Sequence, residues 1–403
     1  MDSILSNDLL LKGVEQFGTP LYVYDAQRIR DQYQKLVNAF HKSDVQVFYA
    51  CKALTNVNVL KVLNDLGSGV DCVSINEVKL AFKAGVPAHK IIFTPNSVAL
   101  EEYLEATALN VNINIDNLNL LESFGQHFGG SYPVILRLNP HIMAGGNIKI
   151  STGHIDSKFG ISVDQVDHII AIREATGLQV KGLHLHTGSE IKDVEVFEKG
   201  LNLILGLSAH FPEMHIVDLG GGFKVPYKEG EIGTDMMLLG ERMAEIFEQF
   251  KLNTGRSFQV WFEPGKYLVS ECGYFLVKSN IIKQGPSRTF VGVNSGFNHL
   301  IRPMFYDAYH KISNISNPQG NLQVYNVVGN ICETDTFAWD RELSEVRAGD
   351  ILLFNNAGAY GFEMSSRFNS RARPAEVLAD KGELKLIRKR ETFEDVLAGQ
   401  ILD

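Results

Sequence analysis

From residue 45 onward, short runs of β-branched and aromatic residues alternate with longer stretches whose apolar positions recur at i, i+3, i+4 and i+7. The short runs are VQVFYAC (45–51), GVDCVS (69–74), KIIFTP (90–95), VNINID (111–116), PVILRLN (133–139), VKGLHLH (180–186), MHIVDLGG (214–221) and QVWFEPG (259–265). Between them lie amphipathic stretches such as NVNVLKVLNDLG, INEVKLAFKAG and SVDQVDHIIAIREATG, several ending in the glycine or asparagine that closes helices. Strand then helix, eight times between residues 45 and 265, predicts an α/β fold whose parallel sheet closes into a (β/α)8 TIM barrel. An open doubly wound sheet is the alternative. Past residue 270 the pattern changes to YFLVKSNIIKQ, RTFVGVNSG, LQVYNVVGNIC and DILLFNNAG, strand-like runs without long helices between them, and DKGEL reads as a hairpin turn. The expectation is a barrel over residues 30–275 followed by a C-terminal, mostly antiparallel β domain over 276–403, with about residues 1–29 docked on the latter.

Composition agrees with two globular domains: 403 residues, 45% of them apolar and 21% charged, can bury a large core. A net charge of -9, a pI near 5.8 and no basic run of five residues leave no electrostatic footprint for nucleic acid or an anionic membrane surface. The start, MDSILSNDLL, lacks the pattern of a signal peptide, and no apolar stretch approaches the roughly 18 residues of a membrane span. The four cysteines, Cys51, Cys72, Cys272 and Cys332, form no CxxC pair, so a reducing, cytoplasmic setting is expected. Cys51, Cys72 and Cys272 read as small buried hydrophobes.

If the barrel forms, the C-terminal ends of its strands share one mouth, where active sites of this fold are built. Those ends carry Lys52, Asp71 with Ser74, Asn96, Asp116, Arg137, His184 and His186 with Ser189, Gly220 to Gly222, and Glu263. A lysine at a strand end is ordinarily a solvated exit point; the alternative is an amine kept for Schiff-base chemistry. Three glycines directly after an apolar strand either make a tight turn or expose backbone N–H groups to a phosphate, with Ser189 able to add a hydroxyl. The spacing fits neither GxGxxG nor GxxxxGK[ST]. Glu263 either caps the proline-glycine turn or holds a proton on a pyridine nitrogen, and His186 is either a core histidine or a flat ring for stacking. No histidine and carboxylate set with metal-ligand spacing is evident, so no metal is expected.

"YACKA", "HTGS", "LGGGF", "EPGK", "CETD" and "GAYG…MSSRFNSRARPAEVL", in that order from about residue 20 to 380, resemble the pyridoxal-phosphate decarboxylases of the alanine-racemase-like barrel fold, in particular those acting on diaminopimelate. The resemblance implies pyridoxal 5'-phosphate as cofactor and decarboxylation of meso-2,6-diaminopimelate to L-lysine and carbon dioxide, the last step of lysine biosynthesis. It implies that Lys52 carries the cofactor, that His186 stacks on its ring, that Ser189 and Gly220, Gly221 and Gly222 hold its phosphate, and that Glu263 pairs with the ring nitrogen. Asp71 and Tyr360 would lie near the cofactor. Arg302, Tyr306, Lys266 and Tyr360 would bind the amino-acid substrate, Glu333 its distal ammonium, and Cys332 would reprotonate the product. Because the loop bearing Cys332 and Glu333 enters the other subunit in this family, a homodimer with shared active sites is implied.

Three positions depart from the family pattern: Lys266 where arginine is usual, Glu190 where glutamine is commoner, and Leu54 where asparagine is usual. Lysine keeps the charge but loses the two-pronged geometry. Competing readings are a sister decarboxylase of ornithine, arginine or a carboxylated polyamine, a racemase, a catalytically dead regulator and a metal-dependent lyase. Arg302 favours a substrate with a distal carboxylate over one with a distal amine.

Overall fold

All eight expected strands form: Val45–Ala50, Gly69–Cys72, Ile91–Phe93, Asn112–Ile115, Val134–Asn139, Val180–Leu185, Ile216–Asp218 and Gln259–Phe262. A computed structural model describes residues 5–142 and 157–401. Each strand pairs in parallel with the next. The eighth returns to the first, with Val260 opposite Val45 and Phe262 opposite Val47, so the sheet is a closed (β/α)8 barrel and not an open one. Closure removes the exposed edges that a free sheet would have to protect. A two-residue strand that the sequence pattern does not reveal, Ile161–Ser162, pairs with the fifth barrel strand.

The strands are apolar because helices cover them outside and side chains fill them inside. Inside, Phe48, Ile92, Ile135, Ile216 and Trp261 form one buried cluster, with the Phe48 and Trp261 rings 4.2 Å apart. Four of the barrel helices start at polar caps: Asn56, Ser74, Asn117 and Asp235 each accept a backbone N–H of the first turn. Gly177 and Gly255 end two of them in the left-handed conformation that glycine adopts at no steric cost.

The chain divides into two units, residues 30–225 with 232–268, which hold the barrel, and residues 1–29 with 226–231 and 269–403. The second unit is built on a nine-stranded, mostly antiparallel sheet. Its strand Leu21–Asp25 is buried throughout, lying between Gly273–Gln284 and Ala375–Asp380. Leu10, Leu21, Val23, Tyr274, Leu276, Leu353 and Val377 pack as its core. The DKGEL hairpin forms, with Lys381 and Gly382 both at positive φ (51° and 81°), as a tight two-residue turn requires. Among the described residues no helix is long and apolar enough to cross a membrane.

Two helix glycines in the barrel unit give a test of the packing. In the helix Met236–Thr254, a Cβ on Gly240 would lie 1.9 Å from the carbonyl oxygen of Ala39, whereas one on Gly206 in the helix Val194–Leu207 meets nothing within 4 Å. Gly240→Ala is expected to destabilise by about 2 kcal/mol or more through overpacking. Gly206→Ala is expected to stabilise by about 0.5 kcal/mol or more through helix propensity. Urea unfolding of both variants measures this, and equal stabilities would contradict the close approach at Gly240.

Candidate active site

The loops that follow barrel strands six, seven and eight are locked to one another through their backbones. Glu263 N donates to Gly220 O at 2.7 Å, and Ile191 N donates to Gly222 O at 2.9 Å. A Cβ at Gly220 would lie 2.8 Å from Leu185 O, one at Gly221 2.4 Å from Glu263 O, and one at Gly222 2.2 Å from Gly188 O. No side chain fits there, and Gly220 and Gly222 also need positive φ, 62° and 94°. The first loop joins the same assembly: Ala50 N donates to Pro264 O at 3.2 Å, and a Cβ on Gly265 would touch Ala50 and Ala53. The short turn Cys51–Ala53 thus holds Lys52 at the rim, its side chain 43% exposed and its Nζ 3.2 Å from Oδ2 of the fully buried Asp71.

Below this rim lies a buried set of ionisable groups, Arg137 from strand five, His184 from six, Asp218 from seven and Glu263 after eight. Asn114 Nδ2 donates to His184 Nδ1 at 2.6 Å, which leaves the ring proton on Nε2, 3.3 Å from Glu263 Oε2 but out of line for a hydrogen bond. Gly220 N donates to Asp218 Oδ1 at 2.8 Å. Glu263 Oε1, Asp218 Oδ2 and Asp71 Oδ1 are buried with no hydrogen-bond partner among the described residues. Burial, and then repulsion from Asp218 and Asp71, push the Glu263 carboxyl well above the usual carboxylate range. Burial likewise brings Asp218 up to about 7, opposed by the Gly220 N–H. The pair therefore holds a proton at pH values where ordinary carboxylates have lost theirs. His184 and His186 are pushed the other way, chiefly by burial and then by the Arg137 charge, and stay neutral.

The fold brings Lys52, Asp71, His186, Ser189, Gly220, Gly221, Gly222, Glu263 and Lys266 to the strand ends and loops of one barrel mouth. The glycine run differs from a freely exposed N–H cradle. Its Gly220 N–H is taken by Asp218, and its Gly221 N–H points to His186 Nδ1 at 3.3 Å, which steadies that ring. The glycines are required first for the backbone contacts described above. The sequence shows no metal-ligand spacing, yet His184, Asp218 and Glu263 offer atoms within 4.8 Å of one another, because the barrel joins residues distant in the chain.

In the second unit Arg302 is only 8% exposed, with its guanidinium 5.3 Å from the Tyr227 ring. Arg302 Nε, Tyr227 Oη and His310 Nε2 are all buried without a hydrogen-bond partner among the described residues. The Arg302 N–H and the Tyr227 hydroxyl can donate to an anion, whereas His310, whose Nδ1–H donates to Asn355 O at 2.9 Å, presents Nε2 as an acceptor. Tyr306 ends the short helix Arg302–Tyr306. Tyr360 sits at φ 56°. Cys332 and Glu333 are exposed on a loop tied down by buried Asp335, which accepts Ile331 N at 2.9 Å and Phe297 N at 2.6 Å. Sequence reasoning missed Asp218, Asn114, Asp335, Tyr227 and His310 as site residues. Asp335 stands inside the quoted CETD motif and Asp218 directly before LGGGF, so their position was a usable signal; the roles of Asn114, Tyr227 and His310 exist only through tertiary contacts.

The shared proton has a measurable consequence. A carboxyl that keeps its proton to about pH 7 in the fold but loses it near pH 4 when unfolded costs stability increasingly between those values. Asp218→Asn, which preserves an acceptor for Gly220 N, is therefore expected to gain stability relative to the unaltered protein as pH rises from about 4 to about 7, and no further above. Urea unfolding of the cofactor-free proteins across that range measures it; a difference constant with pH would mean that the pair shares no proton.

Comparison with known proteins accords with this geometry. Residues 26–270 match the family model described as pyridoxal-dependent decarboxylase, pyridoxal binding domain. A diaminopimelate decarboxylase of Methanothermobacter thermautotrophicus is 38% identical over 397 residues, covering 96% of this chain and 92% of that one. A crystal structure of diaminopimelate decarboxylase superimposes with a TM-score of 0.91 at 33% identity, covering 99% of this chain and 97% of its own. The Helicobacter pylori diaminopimelate decarboxylase complexed with L-lysine gives 0.88 at 30% identity, with 96% and 98% covered. With a matching family model, a matching barrel and matching length, the chain belongs to the pyridoxal-dependent decarboxylase family, in its diaminopimelate decarboxylase branch.

Proposed function

We propose that this protein decarboxylates meso-2,6-diaminopimelate at its D-configured centre, giving L-lysine and carbon dioxide, with pyridoxal 5'-phosphate as cofactor. The observation that carries this reading is the pairing, in one barrel mouth, of a half-exposed amine beside a buried carboxylate with a buried glutamate oxygen that lacks a partner among the described residues. Those groups fit the two ends of the cofactor. Lys52 supplies the amine for its aldehyde, with Asp71 holding the ammonium in place until then. Glu263 Oε1 would hold the ring nitrogen, and its high proton affinity suits a shared proton there. His186 offers its neutral ring to the pyridine face, Ser189 and the Gly220 to Gly222 turn would hold the phosphate through the N–H groups that Asp218 does not take, and Tyr360 would lie near the cofactor.

The chemistry supplied by the bound cofactor is an electron sink for the pair left on carbon. Around it, the chain's own residues orient and protonate. Arg302 and Tyr306 grip the distal carboxylate, Lys266 faces a substrate carboxylate, and Glu333 recognises the distal ammonium. The bond from the D-centre to its carboxylate breaks, carbon dioxide leaves, and the Cys332 thiol gives the proton that takes its place. Exposure of Cys332 and Glu333 on a loop clamped by Asp335 supports their entry into a second subunit, so that a homodimer completes each site. A reducing, cytoplasmic setting keeps that exposed thiol free.

Carbon dioxide release from meso-diaminopimelate, followed with the purified protein loaded with pyridoxal phosphate, tests the reaction. Release is expected to vanish in Lys52→Ala together with the cofactor's visible absorbance, and a protein that evolves no gas refutes the reading. Shared sites make a separate prediction. Lys52→Ala and Cys332→Ala should each lose about a hundredfold or more in kcat. Co-expressed, the two should recover about a quarter of full activity, because mixed dimers carry one intact site. No recovery would place both residues in the same subunit's site.

A further inference from the structure

Lys266 and Glu190, two departures from the family pattern, form an ion pair across the barrel mouth, joining the loop after strand eight to the loop after strand six. Both side chains are shielded, 11% and 28% exposed, so the pair is stronger than a surface contact. The backbone of Glu190 is left-handed, with φ 62°, a conformation glutamate does not favour. It is held there from both sides: Gly188 packs against Gly222, and Ile191 N donates to Gly222 O at 2.9 Å. The fold therefore directs Glu190 toward Lys266 at the expense of local backbone preference. Lys266 in turn follows directly on Gly265, which packs against Ala50 and Ala53 on either side of Lys52.

We propose that Glu190 is a specificity-determining residue that occupies Lys266 as a built-in carboxylate, so that a carboxylate of the substrate must displace it to reach the ammonium. The proposal rests on the decarboxylase reading and names the group that sets substrate affinity within it. A guanidinium presents five donors and can serve two carboxylates together; an ammonium is a compact point charge, so two carboxylates compete for it. The displaced Glu190 also stays close enough to repel the incoming carboxylate. The exchange breaks one ion pair and forms another, with no proton or covalent bond transferred.

Calorimetric titration of the cofactor-loaded protein with pimelate, a dicarboxylate of the substrate's chain length without amines, tests this. Glu190→Gln is expected to bind pimelate about tenfold more tightly than the unaltered protein. Glu190→Asn, which also suits a left-handed backbone, should shift affinity in the same direction. Glu190→Gln made in a Lys266→Met background should show no gain. Equal affinity in all variants overturns the proposal, as does a gain that survives Lys266→Met. A gain confined to slower loss of the cofactor on dialysis also overturns it, by assigning Lys266 to the phosphate. Carbon dioxide release by the unaltered protein separates the two levels: release with equal pimelate binding sinks the exchange alone, and no release sinks the reading beneath it.

Discussion

The close approach of three backbone turns at the barrel mouth is the constraint on which the site depends. Gly220, Gly221 and Gly222 lie against the carbonyls of Leu185, Glu263 and Gly188 at distances that no Cβ tolerates. Because those contacts are backbone to backbone, they leave little freedom in the positions of His186, Glu190 and Glu263. The turn bearing Lys52 joins the same assembly through Ala50 and Gly265. These side chains are thus placed by closely packed backbone, as preorganised chemistry requires.

That rigidity holds ionisable groups in an environment that would otherwise expel them. Asp71, Asp218 and Glu263 face Arg137 beneath the rim, all of them buried. Burial and mutual repulsion raise the proton affinities of Asp218 and Glu263, and burial with the Arg137 charge keeps both nearby histidines neutral. Buried oxygens without partners carry a cost of roughly 1–3 kcal/mol each. Among the described residues Glu263 Oε1 is one such group at the barrel mouth.

The Lys266–Glu190 pair sets a carboxylate of the chain itself on an ammonium at the barrel mouth. Exchanging a forked cation for a point charge and adding a facing carboxylate alters the competition for one ammonium.

Alternating strand and helix periodicity by itself determined the barrel, because each parallel strand is covered outside and filled inside and so reads as a short apolar run. DKGEL likewise announced its hairpin, since two positive-φ residues leave few sequence choices. Lys52, His186, the glycine run and Glu263 were legible as strand-end residues once the barrel was inferred. The partners of those residues were not. Asn114 on His184, Asp218 beside Glu263, Tyr227 on Arg302 and Glu190 on Lys266 are joined across 70, 45, 75 and 76 positions of chain respectively. Local periodicity records which face of an element is buried. Only tertiary closure decides which two distant side chains share the same buried space, and therefore which protons and charges they hold.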